Sequence, residues 1–263
     1  MPGDALVEAR ELMKEYEAGC RVVNDVSFTI SRGETLGLVG ESGSGKSTVA
    51  RMLLRLIEPT AGEIRYDGRD LPAAGSDELR RLRQRMQVVF QDPFAALNPR
   101  MRVQEILAEP FAIHRQQPEE GLATRLREML RTVGMDESAL ERFPHEFSGG
   151  QRQRINIARA LALRPEFVAL DEPVSALDVS VGAQVMNLLR DLQREFGLTY
   201  LFISHSMPLV RYLCDRIAVM QQGRLVELGE CEQVCGAPQE EYTRRLIAAT
   251  PEIPETFGQG LRE

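Results

Sequence analysis

No stretch of this sequence approaches the ~18 consecutive apolar residues that a membrane-spanning helix needs, so no span is expected within the chain. The opening, MPGDALVEAREL, lacks a basic region followed by an apolar run, so no secretory signal is expected either. Cysteine is sparse. Cys20, Cys214, Cys231 and Cys235 are scattered, which suits a reducing compartment better than a disulfide framework. Cys231 and Cys235 are spaced to share a helix face, but two thiols without a nearby histidine fall short of a metal site. A basic surplus is also missing: 32 Lys and Arg face 39 Asp and Glu, a net charge of −7. That balance argues against a general DNA coat or a polybasic membrane clamp, and leaves room only for a local basic patch. Internal repeats and low-complexity tracts are absent.

What is present is ordinary globular composition, 43% hydrophobic, 27% charged and 6% aromatic over 263 residues. A chain of this length buries roughly three quarters of its unfolded surface and needs no staples. Strand-rich and helical segments alternate, the pattern of an α/β domain around a mainly parallel sheet. The first 40 residues differ: LVEARELM and VVNDVSFTI read as two strands before any long helix. TLGLVG is a short buried strand, followed by a helix from about Lys46 to Ile57. EIRYDGRD is a strand with an Asp-Gly turn, SDELRRLRQRM a polar helix and QVVF a strand. From about Asp92 to Leu163 only helices are expected, a helical insertion between strands of one sheet. The alternation resumes with FVALD, a helix over 181–196, TYLFIS, PLVRYLC, RIAVM and RLVELG. Val181, Val185, Leu188, Leu189 and Leu192 form one apolar stripe expected to pack on the sheet. QEEYTRRLIAA reads as an amphipathic helix, and the last dozen residues as loosely held.

Gly40-Glu41-Ser42-Gly43-Ser44-Gly45-Lys46-Ser47-Thr48 fits G-x-x-x-x-G-K-S between a buried strand and a helix. The glycines let successive N–H groups turn inward at phosphate oxygens, and the helix N-terminus favours an anion. Lys46 is then expected to reach the β- and γ-phosphates of a nucleotide and Ser47 to ligate Mg²⁺. The motif alone does not choose the nucleotide.

FVALDE ends a buried strand with two acids. Asp171 is placed to orient Mg²⁺ and Glu172 to take a proton from an attacking water. The plainer alternative is a strand ending in surface acids. His205, after TYLFIS, stands where ligands of open α/β sheets bind, beyond the carboxyl ends of the strands; it is otherwise a turn histidine. Gln91 follows another strand and either coordinates metal and orients water or is a turn residue.

Phe147-Ser148-Gly149-Gly150-Gln151 adds a hydroxyl and open N–H groups before a helix, a second phosphate-binding element over 100 residues from the first. One nucleotide site needs only one of the two elements, whereas two facing chains would use both. SGGQ followed by RQRINIARAL, the acidic strand and SALD resembles an ATP-binding cassette ATPase, with motifs from Tyr16 to His205 and a likeness over about residues 5–235. The resemblance implies a P-loop NTPase fold: a RecA-like, mainly parallel core, an N-terminal antiparallel β subdomain and an inserted helical subdomain. The cassette would occupy 1–235, with the insertion at about 92–163, and 236–263 would be a short C-terminal helix and tail.

It further implies a head-to-tail dimer with two ATP molecules, each between one chain's phosphate loop and the other's Ser148–Gln151. Tyr16 would stack on adenine, and Gln91 would link the metal to the helical insertion. Asp171 would orient magnesium, Glu172 would be the catalytic base, Ser175 to Asp178 would cross the interface, and His205 would touch the γ-phosphate. VVFQDPFAALNPRMRVQEILAEP, RFPHEFSGGQRQRINIARAL and DEPVSALDVSV are very similar to ATPase subunits of oligopeptide, dipeptide and nickel importers, and NPRMRVQEILAEP resembles the second ATPase of such pairs more than the first. The partners implied are two membrane permeases, a sister ATPase in a heterodimer or a second copy, and indirectly an external solute-binding protein. The expected location is the cytoplasmic face of the plasma membrane. A nickel or metal-chelate importer is an alternative. A soluble cassette acting on nucleic acid or ribosomes is another, disfavoured by the acidic balance. A different P-loop machine would leave SGGQ without a role. Two positions depart from the family pattern: Ser206 stands where an aspartate is usual, and Glu240-Glu241-Tyr242-Thr243 replaces His-Pro-Tyr-Thr. Without the longer cysteine-containing tail of many relatives, neither an iron–sulfur cluster nor a close assignment of cargo is expected from the resemblance. The basic helix Arg80–Arg85 is read as a solvated face rather than a lipid or permease contact.

Overall fold

The structure is a computed structural model and describes residues 5–16 and 19–249. The Pro- and Gly-rich last dozen residues lie outside the described residues. Strand β1 (Ala5–Tyr16) pairs antiparallel with β2 (Cys20–Ser31). Along β2 the apolar period is two: Val26, Phe28 and Ile30 are buried while Ser27 and Thr29 face out. On the other side of β1 lies β4 (Ala61–Tyr66), which turns through Asp67-Gly68 into the short β5 (Arg69–Asp70). This antiparallel sheet has the order β2-β1-β4-β5.

The continuous apolar runs make the second sheet. β3 (Thr35–Val39), β6 (Met86–Val89), β7 (Phe167–Asp171), β8 (Thr199–Ser204) and β9 (Arg216–Gln221) run parallel, and β10 (Arg224–Glu230) closes one edge antiparallel. The order is β10-β9-β3-β8-β7-β6. Both faces of the parallel strands are covered, which is why these strands read as unbroken hydrophobic sequence rather than as alternation. The pleat still sorts them. Phe167 and Ala169 of β7 join the apolar cluster under the antiparallel sheet, whereas Val168 and Leu170 join the one under the helices.

Helix α1 (Lys46–Leu53) follows β3, and α2 (Ser76–Arg85) precedes β6. Between β6 and β7 the described chain is helical: α3 (Pro93–Ala96), α4 (Val103–His114), α5 (Leu122–Thr132) and α6 (Gly149–Ala160), with 3₁₀ turns at Glu137–Glu141 and Pro144–Glu146. α7 (Val179–Phe196), α8 (Met207–Leu213), α9 (Cys231–Gly236) and α10 (Glu241–Ala249) complete the helices of the described residues.

Two local expectations shift. α1 stops at Leu53 rather than Ile57, because Arg55 takes a left-handed φ of 48° and the N–H of Leu56 closes onto the carbonyl of Arg51 at 2.8 Å. The face of α7 is rotated slightly from the expected stripe. Gly182, Val185, Met186, Leu189 and Leu192 are buried, while Val181 and Leu188 are half-buried. The basic run of α2 is largely tied to its own chain. Arg80 donates to the carbonyl of Ile113, and Arg83 donates to that of Arg55 at 3.0 Å.

Arg85 anchors a network at the amino end of β7. Its Nε and Nη2 donate to Glu166 at 2.7 and 2.8 Å, and Nη2 also donates to Asp67 at 2.8 Å. Arg32 bonds both acids, reaching Glu166 at 2.8 Å and contacting Asp67. The Arg85 guanidinium lies 5.2 Å from the ring centre of Tyr66. Four separate segments are thereby tied together at the sheet end remote from the strands' carboxyl termini.

Candidate functional site

Strand register brings the site together. Val39 pairs with Ser204, Asp171 with Ile203, and Val89 with Leu170. The residues that follow β3, β6, β7 and β8 therefore emerge at one edge of the parallel sheet. They are Gly40, Gln91, Glu172 and His205, in the place such sheets leave for ligands.

The loop after β3 is wedged between the two sheets. A Cβ on Gly40 would sit 2.2 Å from the carbonyl oxygen of Met220 on β9, and one on Gly45 would sit 2.7 Å from that of Val22 on β2. Only glycine permits such backbone approach, and both have positive φ, 149° and 104°. The N–H of Gly223, in the β9–β10 turn, donates to the carbonyl of Ser44 at 3.1 Å. Lys46 is 5% exposed. Its Nζ donates to the carbonyls of Gly40 (2.9 Å) and Glu41 (2.7 Å) and lies 3.3 Å from Ser44 Oγ. Burial lowers its pKa, and the charges of Glu172, Asp171 and Glu41 oppose that shift.

The acids stand opposite. Ser47 Oγ donates to Asp171 Oδ1 at 3.0 Å, which ties α1 to the end of β7. The Asp171 carboxyl is pushed up by burial and by the neighbouring charge of Glu172, against the Ser47 hydrogen bond, Arg51 and Lys46. Glu172 has a left-handed backbone, φ 48°, an uncommon state for a side-chain-bearing residue. Its N–H donates to the carbonyl of Ile203 at 3.0 Å. Gln91 Nε2 donates to its Oε2 at 3.1 Å, and His205 Nδ1 lies 3.2 Å from its Oε1. Glu172 is thus held on both oxygens while His205 remains largely exposed, its side chain 60% accessible.

Most of these groups border one open cleft of about 490 Å³, with Gly40, Ser44 and Asp171 outside its walls. Its walls are Ser42, Gly43, Gly45, Lys46, Ser47 and Thr48 of the loop, Val22, and Gln91, Glu172 and His205. Val22 carries no chemical signal in the sequence; only the stacking of the two sheets puts it there.

Among the described residues, the cleft walls do not include Tyr16, Ser148, Gly149, Gly150, Gln151 or Asp178. Tyr16 ends β1, is 46% exposed and carries the Lys14 ammonium 5.1 Å from its ring centre. Ser148 caps α6 in a reciprocal box: its N–H donates to Gln151 Oε1 at 3.0 Å, and its Oγ accepts from the N–H of Gln151 at 3.4 Å. Asp178 caps α7 through the N–H of Val181 at 2.9 Å. The two helix starts touch, since a Cβ on Gly150 would lie 2.2 Å from Val181 Cγ1. They present two positive helix ends side by side on the surface. Ser206, at the departure after His205, precedes α8 without a side-chain cap; its own N–H donates to Ser204 Oγ at 3.0 Å.

One contact to the loop comes from a residue to which the sequence assigned no role, the tyrosine of the stretch Glu240-Glu241-Tyr242-Thr243. Tyr242 of α10, 201 residues downstream, accepts a hydrogen bond on its hydroxyl from the N–H of Glu41 at 3.1 Å.

The family described as "ABC transporter" matches residues 23–175. The oligopeptide transport ATP-binding protein OppF of Bacillus subtilis is 48% identical over 253 residues, covering 94% of this chain and 83% of that protein. The solved structure of cbiO1 from Clostridium perfringens, part of the ABC transporter complex cbiONQ, superposes with a TM-score of 0.80 at 27% identity, over 98% of this chain and 99% of that one. The ATP-binding cassette MJ0796, in a dimeric post-hydrolysis state with ADP and Pi, gives a TM-score of 0.76 at 30% identity, over 86% of this chain and 98% of that one.

Proposed function

The chain belongs to the ABC transporter family, and from that premise we propose that it is the ATP-hydrolysing subunit of a peptide importer. The observation that carries the catalytic part is the Glu172 carboxylate, gripped by Gln91 and His205 beside the Ser47–Asp171 pair and facing the phosphate loop. In this reading the loop N–H groups and Lys46 hold the ATP phosphates. Glu172 accepts the proton of the water that attacks the γ-phosphorus, the bond to the β–γ bridging oxygen breaks, and ADP and phosphate result. His205 orients the γ-phosphate and keeps Glu172 in place.

The oxygen donors Ser47, Asp171 and the Gln91 amide suit Mg²⁺, and two half-buried neighbouring carboxylates create the negative charge that a divalent cation relieves. No group of three His, Cys, Asp or Glu side chains able to hold a metal occurs among the described residues. The cation would therefore arrive with the nucleotide, its charge offsetting that of the phosphates.

Ser148–Gln151 and Asp178 are absent from the walls of their own cleft, which supports a partner cassette whose nucleotide they complete. The dimeric state of MJ0796 supports the pairing of two cassettes. Tyr16 stacks on adenine in this reading. No described helix is long and apolar enough to cross a membrane, so transport work needs separate permease chains, received by the helical segment between β6 and β7. We place the subunit at the cytoplasmic face of the plasma membrane, with a sister ATPase and an external solute-binding protein completing the importer. The cassette spans 1–235, with its insertion at 92–163.

Purification of the tagged chain from gently solubilised membranes tests the assembly. Two permeases and a second cassette ATPase are expected; recovery with ribosomes or nucleic acid alone would overturn the importer. Glu172→Gln tests the chemistry. ATP binding is expected to persist, turnover to fall at least 100-fold, and closed dimers to accumulate; turnover at the wild-type rate would remove Glu172 as the base.

A further inference from the structure

Tyr242 reaches the phosphate loop from the far end of the chain. Its ring is seated in the apolar cluster under the helices, 8% exposed, and its hydroxyl emerges at Glu41. The peptide it meets is the one that Lys46 holds from the other side. The Glu41 N–H points at Tyr242, and the carbonyl of that same peptide, Gly40, accepts Lys46 Nζ at 2.9 Å. Lys46 then also takes the next carbonyl, Glu41, at 2.7 Å. The orientation of the Gly40–Glu41 peptide plane therefore sets the first of the two oxygens on which the lysine rests. Gly40 is pressed against Met220, so this plane has little room to turn without losing one end or the other.

The helix that carries Tyr242 is itself moored. The Glu227 carboxylate of β10 accepts the N–H of Gln239 at 2.8 Å and that of Glu240 at 3.2 Å, fixing the chain as it enters α10. Arg244 folds back to the carbonyls of Pro238 and Gln239, each at 3.1 Å. A continuous set of bonds thus runs from the edge strand through α10 to the loop. Helix α10 lies outside the segment matched to the family.

We propose that Tyr242 is a positioning residue for ATP: its hydroxyl holds the Gly40–Glu41 peptide so that Lys46 is presented to the phosphates. It acts through the loop and touches no reacting atom. This rests on the ATP-hydrolysing reading of the cleft. The consequence is for binding: without the hydroxyl, part of the ATP binding energy is spent ordering the loop.

Full-length wild type and Tyr242→Phe are compared for ATP turnover, thermal midpoint, and hydrogen exchange of the segment 40–46 without nucleotide. Phenylalanine keeps the ring in its seat and deletes only the acceptor. One partly buried hydrogen bond predicts a KM for ATP raised about three- to tenfold, with kcat within about twofold and faster exchange in the segment. A change that merely loosened packing would lower the midpoint without dividing KM from kcat. Equal KM and equal exchange in the two proteins would overturn the proposal, as would a fall in kcat at unchanged KM. If the Phe variant folds poorly, Glu227→Gln is measured in its place: it slackens the mooring of α10, leaves Tyr242 intact, and must raise KM in the same direction. A wild type that neither binds nor hydrolyses ATP would overturn the reading of the site itself; an active wild type with an indifferent Tyr242→Phe would overturn only the role of the tyrosine.

Discussion

Gly150→Ala is the most severe single-atom test of how the two surface helix starts are built. The new methyl carbon would lie 2.2 Å from Val181 Cγ1, where ordinary carbon contacts begin near 3.4 Å. About 1.2 Å must be recovered by some movement. Val181 cannot swing aside cheaply, because a β-branched side chain in a helix has essentially one χ1 rotamer. The start of α6 must therefore lift from α7, and overpacking of this kind costs roughly 1–3 kcal/mol. At about 2–4 °C per kcal/mol for a chain of this size class, the thermal midpoint falls by roughly 2–12 °C. Ser148 moves with the helix start, so turnover in the assembled complex falls as well. The assay is a double-mutant cycle in scanning calorimetry. Val181→Ala removes the struck methyl and is expected to restore most of the loss in the Gly150→Ala background, a coupling of about 0.5–3 kcal/mol. A Gly150→Ala midpoint within 1 °C of wild type, or strict additivity of the two changes, refutes the contact.

Three further outcomes follow from the charges. Asp171 has a carboxyl raised by burial and by Glu172, so its ionised form costs stability as pH rises through its unfolded value and above. Asp171→Asn, whose amide oxygen still accepts from Ser47, is expected to raise the nucleotide-free midpoint by roughly 1–3 °C at pH 7 while abolishing turnover; a lowered midpoint would contradict the sign. Glu166 has a carboxyl lowered chiefly by its hydrogen bonds to Arg85. Its contribution is present above the ordinary unfolded value near 4.3 and is lost as pH falls through the folded one. The gap in midpoint between wild type and Glu166→Gln is expected to be roughly 1–3 °C at pH 6.5 and to close towards pH 4, and a gap independent of pH would rule out ionisation as its source. Lys46→Ala should weaken ATP binding or turnover, and nucleotide titration with unchanged affinity and rate would reduce the loop to a structural turn.

The phosphate loop was legible because its chemistry dictates spacing: glycines where backbone must approach backbone, a lysine at the helix start, a hydroxyl beside it. The parallel strands were legible as unbroken apolar runs, and TYLFIS and FVALD match β8 and β7 residue for residue. From the residues alone His205 and Gln91 were visible as residues just beyond strand ends, and their roles came from the family resemblance. That both grip one carboxylate depends on the register of β6, β7 and β8, which no single segment encodes. The early stop of α1 was hidden because Leu54 and Ile57 continue an acceptable helical pattern; the left-handed Arg55 is a choice of backbone, not of hydrophobicity. Tyr242 was visible as the tyrosine of the family's His-Pro-Tyr-Thr stretch, but its role was hidden for a different reason. Its sequence neighbours announce an amphipathic helix, and nothing in such a pattern names what lies beyond the buried face.

Strand β7 is secured at both extremities, by Glu166 in the arginine network at one and by Asp171 on Ser47 at the other. Its five residues, at about 3.3 Å each, make a ruler of fixed length through the middle of the molecule. A ruler does not stretch or slide. Whatever the cleft gains or loses in width when phosphate arrives or departs must be taken up beyond its last mark, at Glu172, where the backbone already bends left-handed. The give at the cleft thereby falls to a corner rather than to a beam, and mutations along the beam should change how hot the protein can run long before they change how fast.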